Sequence, residues 1–137
     1  MAIESPSLTP PRLSFPESRF LIGVGLAVAL IAGLIFRIVG QLVLDPAQPL
    51  VVAGVFVVTI PAMWLLAVAI FRWRGHTGGA RREAAAILVV PGMIIDALST
   101  ALFSVVYPNM EPTAGTLFGG LLLLAYATVL VAGFVTG

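Results

Sequence analysis

Two ionisable side chains stand inside long apolar runs of this sequence, Arg37 in GLIFRIVGQ and Asp96 in PGMIIDALST. An ionised carboxylate at the centre of a bilayer costs roughly 2.5–3.5 kcal/mol even on lenient insertion scales, so it needs a partner or a proton. Counted at about 1.5 Å per residue from the turns at Asp45 and Pro108, Arg37 and Asp96 lie roughly 12 and 18 Å below the same end of the molecule. A long arginine side chain bridges that difference. Three chemistries are open to the two residues. They form a buried ion pair that fixes how two helices pack. Or Asp96 relays a proton or cation in a small transporter or channel, with Arg37 gating it or binding an anion. Or the two act separately, with Arg37 snorkelling to headgroups and Asp96 held protonated by nearby hydroxyls. Gln41, one turn above Arg37, extends the polar face of its helix. Ser99, Thr100, Phe103 and Tyr107 follow Asp96 on one face by the i+3, i+4 rule.

The elements that carry these residues follow from composition. Of 137 residues, 60% are hydrophobic and 9% are charged, against roughly 25% charged in a soluble domain; mean hydropathy is +1.12. Thirteen charges cannot coat a water-soluble fold of this size, and a disordered chain would be polar. The length has room for about four spans of ~20 residues. Apolar runs at 20–44, 50–71, 84–107 and 113–136 supply them, so the expected fold is all-α, four transmembrane helices in an antiparallel bundle. Asp45-Pro46-Ala47-Gln48-Pro49 and Tyr107-Pro108-Asn109-Met110-Glu111-Pro112 are tight turns at one end. Residues 1–19, with four prolines, read as an extended tail. The first run lacks a convincing small-x-small site before Asp45, so it reads as a retained span rather than a cleaved signal.

All seven cationic residues are arginine. Arg12 and Arg19 lie in the tail, and Arg72, Arg74, Arg81 and Arg82 lie in the middle loop, whereas the tight turns hold Asp45 and Glu111. The positive-inside rule then places both termini and the middle loop in the cytoplasm, as for a bacterial inner-membrane protein. The loop arginines also suit contact with anionic lipid heads. A net charge of +1 gives no reason to expect a nucleic-acid partner.

Other chemistry is sparse. There is no cysteine and one histidine, His76, so no metal site and no cofactor is expected. His76, in a glycine-rich loop, reads as solvated, and the loop itself as flexible. No nucleophile–base pair is visible, so the expectation is a non-enzymatic membrane component that packs with itself or a partner, with the transporter as the alternative. Gly25, Ala29 and Gly33 in the first span, and Gly115, Gly119, Gly133 and Gly137 in the last, form small-residue rows that let backbones approach closely. They serve packing within the chain or a homo-oligomer. Tyr126 is a lone polar tip in the last span and is expected to find a carbonyl.

The stretches PGMIIDALST and VYPNMEPTAGTLFGG resemble a group of small uncharacterised bacterial four-helix membrane proteins. The resemblance rests on Asp96 within the third span and on the Tyr107-Pro108-Asn109-Met110 turn, and covers about fifty residues of the second half. It implies the four-span architecture and no activity.

Overall fold

A computed structural model describes residues 13–137. The prolines at positions 6, 10 and 11 and the topology determinant Arg12 lie outside the described residues. Every regular element described is a helix: α1 (Phe15–Val43), α2 (Pro49–Trp73), α3 (Gly79–Ala101), the short α4 (Phe103–Val106) and α5 (Ala114–Thr136). The four long helices are each long and apolar enough to cross a membrane. The protein is therefore a four-span membrane protein by length and composition.

Helix boundaries differ from the sequence reading at three places: α3 already begins at Gly79 rather than at residue 84, so Arg81 and Arg82, expected in the loop, lie in its first turn, and the other two differences each have a local reason. The tail was expected to stay extended through residue 19, but α1 starts at Phe15. Ser14 is its N-cap, and Ser14 Oγ accepts a 3.2 Å bond from the Glu17 amide. Ser-x-x-Glu is a capping-box pattern, and Pro16 falls in the first turn, where its missing N–H costs nothing. The third span was expected to run unbroken to Tyr107. Instead α3 ends at Ala101, Leu102 leaves helical geometry (φ −108°, ψ 38°), and α4 adds a single turn. Pro108 disfavours helical backbone in the residue before it, and Tyr107 adopts φ −123°, ψ 64°. Its side chain turns into the core, where it is 2% exposed.

Helices adjacent in sequence are not the ones that pack. α1 packs on α3, α3 on α5 and α5 on α2, while α1 and α2 touch sparingly. The contacts are made by small residues. A Cβ at Gly25 would collide with the Leu88 carbonyl of α3. One at Gly133 would lie 2.7 Å from Ala85 Cβ and 2.9 Å from the Arg81 carbonyl oxygen. Large apolar side chains point the other way: Leu30, Ile31 and Leu34 are 61%, 60% and 60% exposed. In water that pattern is inverted, but in lipid it is the expected one, since the tails solvate leucine and the close contacts fall to glycine and alanine.

Two apolar clusters result. At the arginine end Leu21, Ala67, Phe71, Ala84, Ala85 and Ala132 are fully or nearly fully buried. At the opposite end Phe118 sits among Phe36, Phe103 and Tyr107, with ring centroids 5.3, 5.7 and 4.8 Å away. The α1–α2 turn there is held by Asp45, whose Oδ1 accepts from the Ala47 amide at 2.9 Å and whose carbonyl accepts from the Gln48 amide at 2.9 Å.

Gly25→Val should lower thermal stability in detergent by about 1–3 kcal/mol, because the backbone at Leu88 cannot yield as a side chain would. Gly54→Ala, which meets nothing within 4 Å, should leave the midpoint unchanged or slightly higher. Circular-dichroism melts of the two variants check this, and equal losses would remove the close-approach account.

Candidate functional site: a membrane-centre cavity floored by Asp96

The two apolar clusters do not quite meet. Between them lies a cleft of about 180 Å³, flanked by α1 and α2 and floored by α3 and α5. Its walls are apolar except for three groups: Asp96 from α3, Tyr126 from α5 and Thr59 from α2. Asp96 is 7% exposed. Its Oδ2 accepts a hydrogen bond from the Tyr126 hydroxyl. Gly92, one turn before Asp96, makes room for this: a Cβ there would stand 2.7 Å from the Tyr126 hydroxyl oxygen. Thr59 turns inward to its own helix, donating to the Val55 carbonyl at 2.7 Å. Asp96 is thus the one acidic group in the cleft, and its bonded partner is a neutral phenol.

Arg37 is not that partner. The two side chains form no ion pair among the described residues. Arg37 is exposed on α1, and its Nη1 donates to the Val106 carbonyl at 2.6 Å. That carbonyl ends α4, where free acceptors and the helix dipole favour a cation. Arg37 therefore ties α1 to the turn between α4 and α5. Gln41 joins the same tie: its Nε2 donates to the Ile38 carbonyl at 3.0 Å, and its Oε1 accepts from Asn109 Nδ2 at 2.6 Å. Asn109 Nδ2 also donates to the Phe36 carbonyl at 3.0 Å.

The rest of the expected polar face is divided. Ser99 and Thr100 are half-buried, and neither hydroxyl bonds Asp96. Thr100 packs its methyl 3.8 Å from the position of a Cβ on Gly119. The Tyr107 hydroxyl stands over Gly33, 3.1 Å from where a Cβ would be. Ala29 packs at Gly92, and Gly115 faces the Phe103 ring at 3.4 Å. The small-residue rows thus seat contacts inside the chain. Tyr126 was expected to find a carbonyl and finds Asp96 instead. The signal was available, because both lie roughly 18 Å from the same end when counted along their helices.

The family described as "Family of unknown function (DUF5367)" matches residues 43–137. The chain belongs to this family. No curated protein matches it, and no solved structure does. The DUF5367 match spans α2 to α5, so it takes in Asp96, Tyr107 and Tyr126 and leaves out Arg37, Gln41 and the glycines of α1. This agrees with the resemblance of the second half to uncharacterised four-helix membrane proteins.

The middle loop of this DUF5367 chain is a second polar centre. Expected to be flexible and solvated, it is folded against both neighbouring helix ends. Gly75 and Gly78 take φ of 71° and 56°, a region open to glycine, and so turn the chain sharply. His76 is 5% exposed, stacks edge-on to Phe71 at 6.3 Å, and places Nε2 2.9 Å from Glu17 Oε2. Arg74 grips Glu17 with two bonds of 3.1 and 2.7 Å and lies 4.1 Å over the Phe20 ring. Arg81 donates to the His76 carbonyl at 2.8 Å and to the Thr136 carbonyl at 3.3 Å. Of the four arginines expected in the middle loop, Arg74 and Arg81 thus hold the fold, while Arg72 and Arg82 are exposed, Arg82 lying 5.8 Å over Phe134; Arg72 lies in the last turn of α2, and Arg81 and Arg82 start α3. Among the described residues no group of histidine, aspartate and glutamate is arranged to hold a metal ion.

Arg37→Gln and Asp96→Asn share no partner, so their destabilisations should add to within about 0.5 kcal/mol in a double-mutant cycle followed by denaturant unfolding in micelles. A coupling well above that would restore the ion pair. A second expectation concerns Glu17, which stands at the polar start of α1 ahead of the apolar run. The Arg74 guanidinium, aided by His76 and opposed by desolvation, holds its carboxyl below the ordinary value of 4.5. Its folded value is thus below its unfolded one, so its contribution is complete above about pH 4.5 and is lost as pH falls through the folded value. Between about pH 6 and pH 3 the wild type should therefore lose more thermal stability than Glu17→Gln; parallel losses would mean that the clamp does not act in solution.

Proposed function

We propose that the protein is a small ligand-binding membrane protein of the carrier type, whose site is the mid-membrane cleft and whose ionisable handle is Asp96. One observation carries the reading: a nearly buried carboxyl, bonded to a phenol and to no cation, lines an open apolar cleft. A purely structural acid would be expected to have its charge matched within the fold. An unmatched one that reaches a cavity is suited to take up a proton or a ligand in turn. The reading assigns no catalytic step, because a carboxyl and a phenol in an apolar cleft bind and orient but supply no nucleophile–base pair.

In the same proposal the arginine-rich end faces the cytoplasm, by the positive-inside rule, in a bacterial inner membrane. Exposed Arg72 and Arg82, flanked by Trp73 and Phe134, suit the level of anionic lipid heads there. Self-association is less favoured as the main role, because the small-residue rows are already occupied by contacts within the chain.

Xenon tests the cleft without presuming ligand chemistry, since apolar cavities near 150 Å³ take up such probes. In nanodiscs, wild-type protein should shift the xenon-129 resonance saturably, and Ala125→Phe, which fills the cleft from α5, should remove that shift. An identical xenon response in the two proteins would show that the cleft is not an accessible site.

A further inference from the structure

The walls of the cleft also specify what fits it, if the cleft is the ligand site proposed above. The geometry points to a small lipophilic organic cation, with an apolar body about the size of one aromatic ring, that reaches Asp96 from the bilayer between α1 and α2. Three features select this class.

The first is charge. Asp96 Oδ2 accepts from Tyr126, and Oδ1 accepts from no group among the described residues. The arginine nearest in depth is tied to the Val106 carbonyl. A neutral ligand leaves the acid as it stands. An anion would face it across a low-dielectric gap, where like charges repel most strongly. A cation supplies the missing charge, and the phenol, by bonding one carboxyl oxygen, leaves the other for the ligand.

The second is size and surface. The volume of about 180 Å³ is close to the ~150 Å³ cavity that accommodates benzene. Val28, Phe36, Met63, Leu66 and Leu122 offer the body of the ligand only hydrocarbon, sulfur and ring surface. A hydrated inorganic cation would find too few oxygens there to replace its water shell.

The third is access. α1 and α2 make little contact with each other. The residues they present to the cleft, among them Ala32, Gly33, Val55 and Met63, are half-buried rather than sealed. The opening lies between two faces covered with exposed apolar side chains such as Ile31, Ile35, Val58 and Leu65. That surface faces lipid, so a ligand that partitions into the bilayer arrives at the slit already concentrated.

Phenyltrimethylammonium and tert-butylbenzene are matched probes, because they share a shape and differ only in the charge. Their binding to the full chain in nanodiscs is read by saturation-transfer NMR, with Ala125→Phe as the background for partitioning into lipid. The cation should bind at least about tenfold more tightly than its neutral isostere, and Asp96→Asn should lose that preference. The charge of this cation does not change with pH, so weaker binding on acidification reports proton competition at Asp96. Of the groups that face Asp96, Tyr126 comes from α5 and Tyr107 from the turn after α4, and α1 and α2 bring no titratable group to the cleft. Equal binding of both probes, lost in Ala125→Phe, would overturn the cationic ligand while leaving the cleft as a site. Binding of both that is unchanged in Ala125→Phe would overturn the site itself. Should Asp96→Asn not fold, the comparison of the two probes on wild-type protein decides the matter alone.

Discussion

Lipid tails solvate leucine as well as another helix does, so no hydrophobic force draws these helices together. What holds them is the approach of backbones at residues with little or no side chain. α3 is the centre of that system. It meets α1 where Gly25 lies under the Leu88 carbonyl, and it meets α5 where Ala85 faces Gly133. Once α3 is flanked in this way, α2 is left to pack on α5, and the side between α1 and α2 stays open. The cleft is thus a consequence of where the glycines fall. Asp96 sits on its floor because α3 is the helix with neighbours on both sides.

The ends of the bundle are finished differently. One is closed by charge, through Glu17, Arg74, His76 and Arg81. The other is closed by rings around Phe118 and by Asn109, which reaches across to the Phe36 carbonyl and Gln41. Each device is local to its end, and neither extends to mid-depth. There the packing is thinnest, and there the polar pair Asp96–Tyr126 replaces apolar contact.

Much of this is legible in the sequence. Hydropathy marks the four long helices, the prolines mark the two tight turns, and the depth of Asp96 follows from counting. The start of α1 is legible too, in Ser14 and Glu17, but a count of prolines outweighs it unless the position of Pro16 within the first turn is considered. The lateral order of helices is not legible, since every apolar helix is equally content beside any other or beside lipid. That is why depth alone pairs Asp96 as readily with Arg37 as with Tyr126. Only the neighbourhood of α3 and α5, with room made by Gly92, decides for the tyrosine. His76 is misjudged for a related reason: a glycine-rich loop reads as mobile until Glu17, contributed by a distant part of the chain, is seen to hold it.

The bidentate bond between Arg74 and Glu17 joins the start of α1 to the end of α2, and the five-residue link from Leu44 to Gln48 joins their other ends covalently. The slit between the two helices is therefore stitched at both extremities, like a buttonhole. It can gape in its middle, beside Asp96, without the helices parting. A molecule passing through would bow α1 and α2 rather than swing them apart, and the middle loop and the α1–α2 turn would keep their shapes throughout.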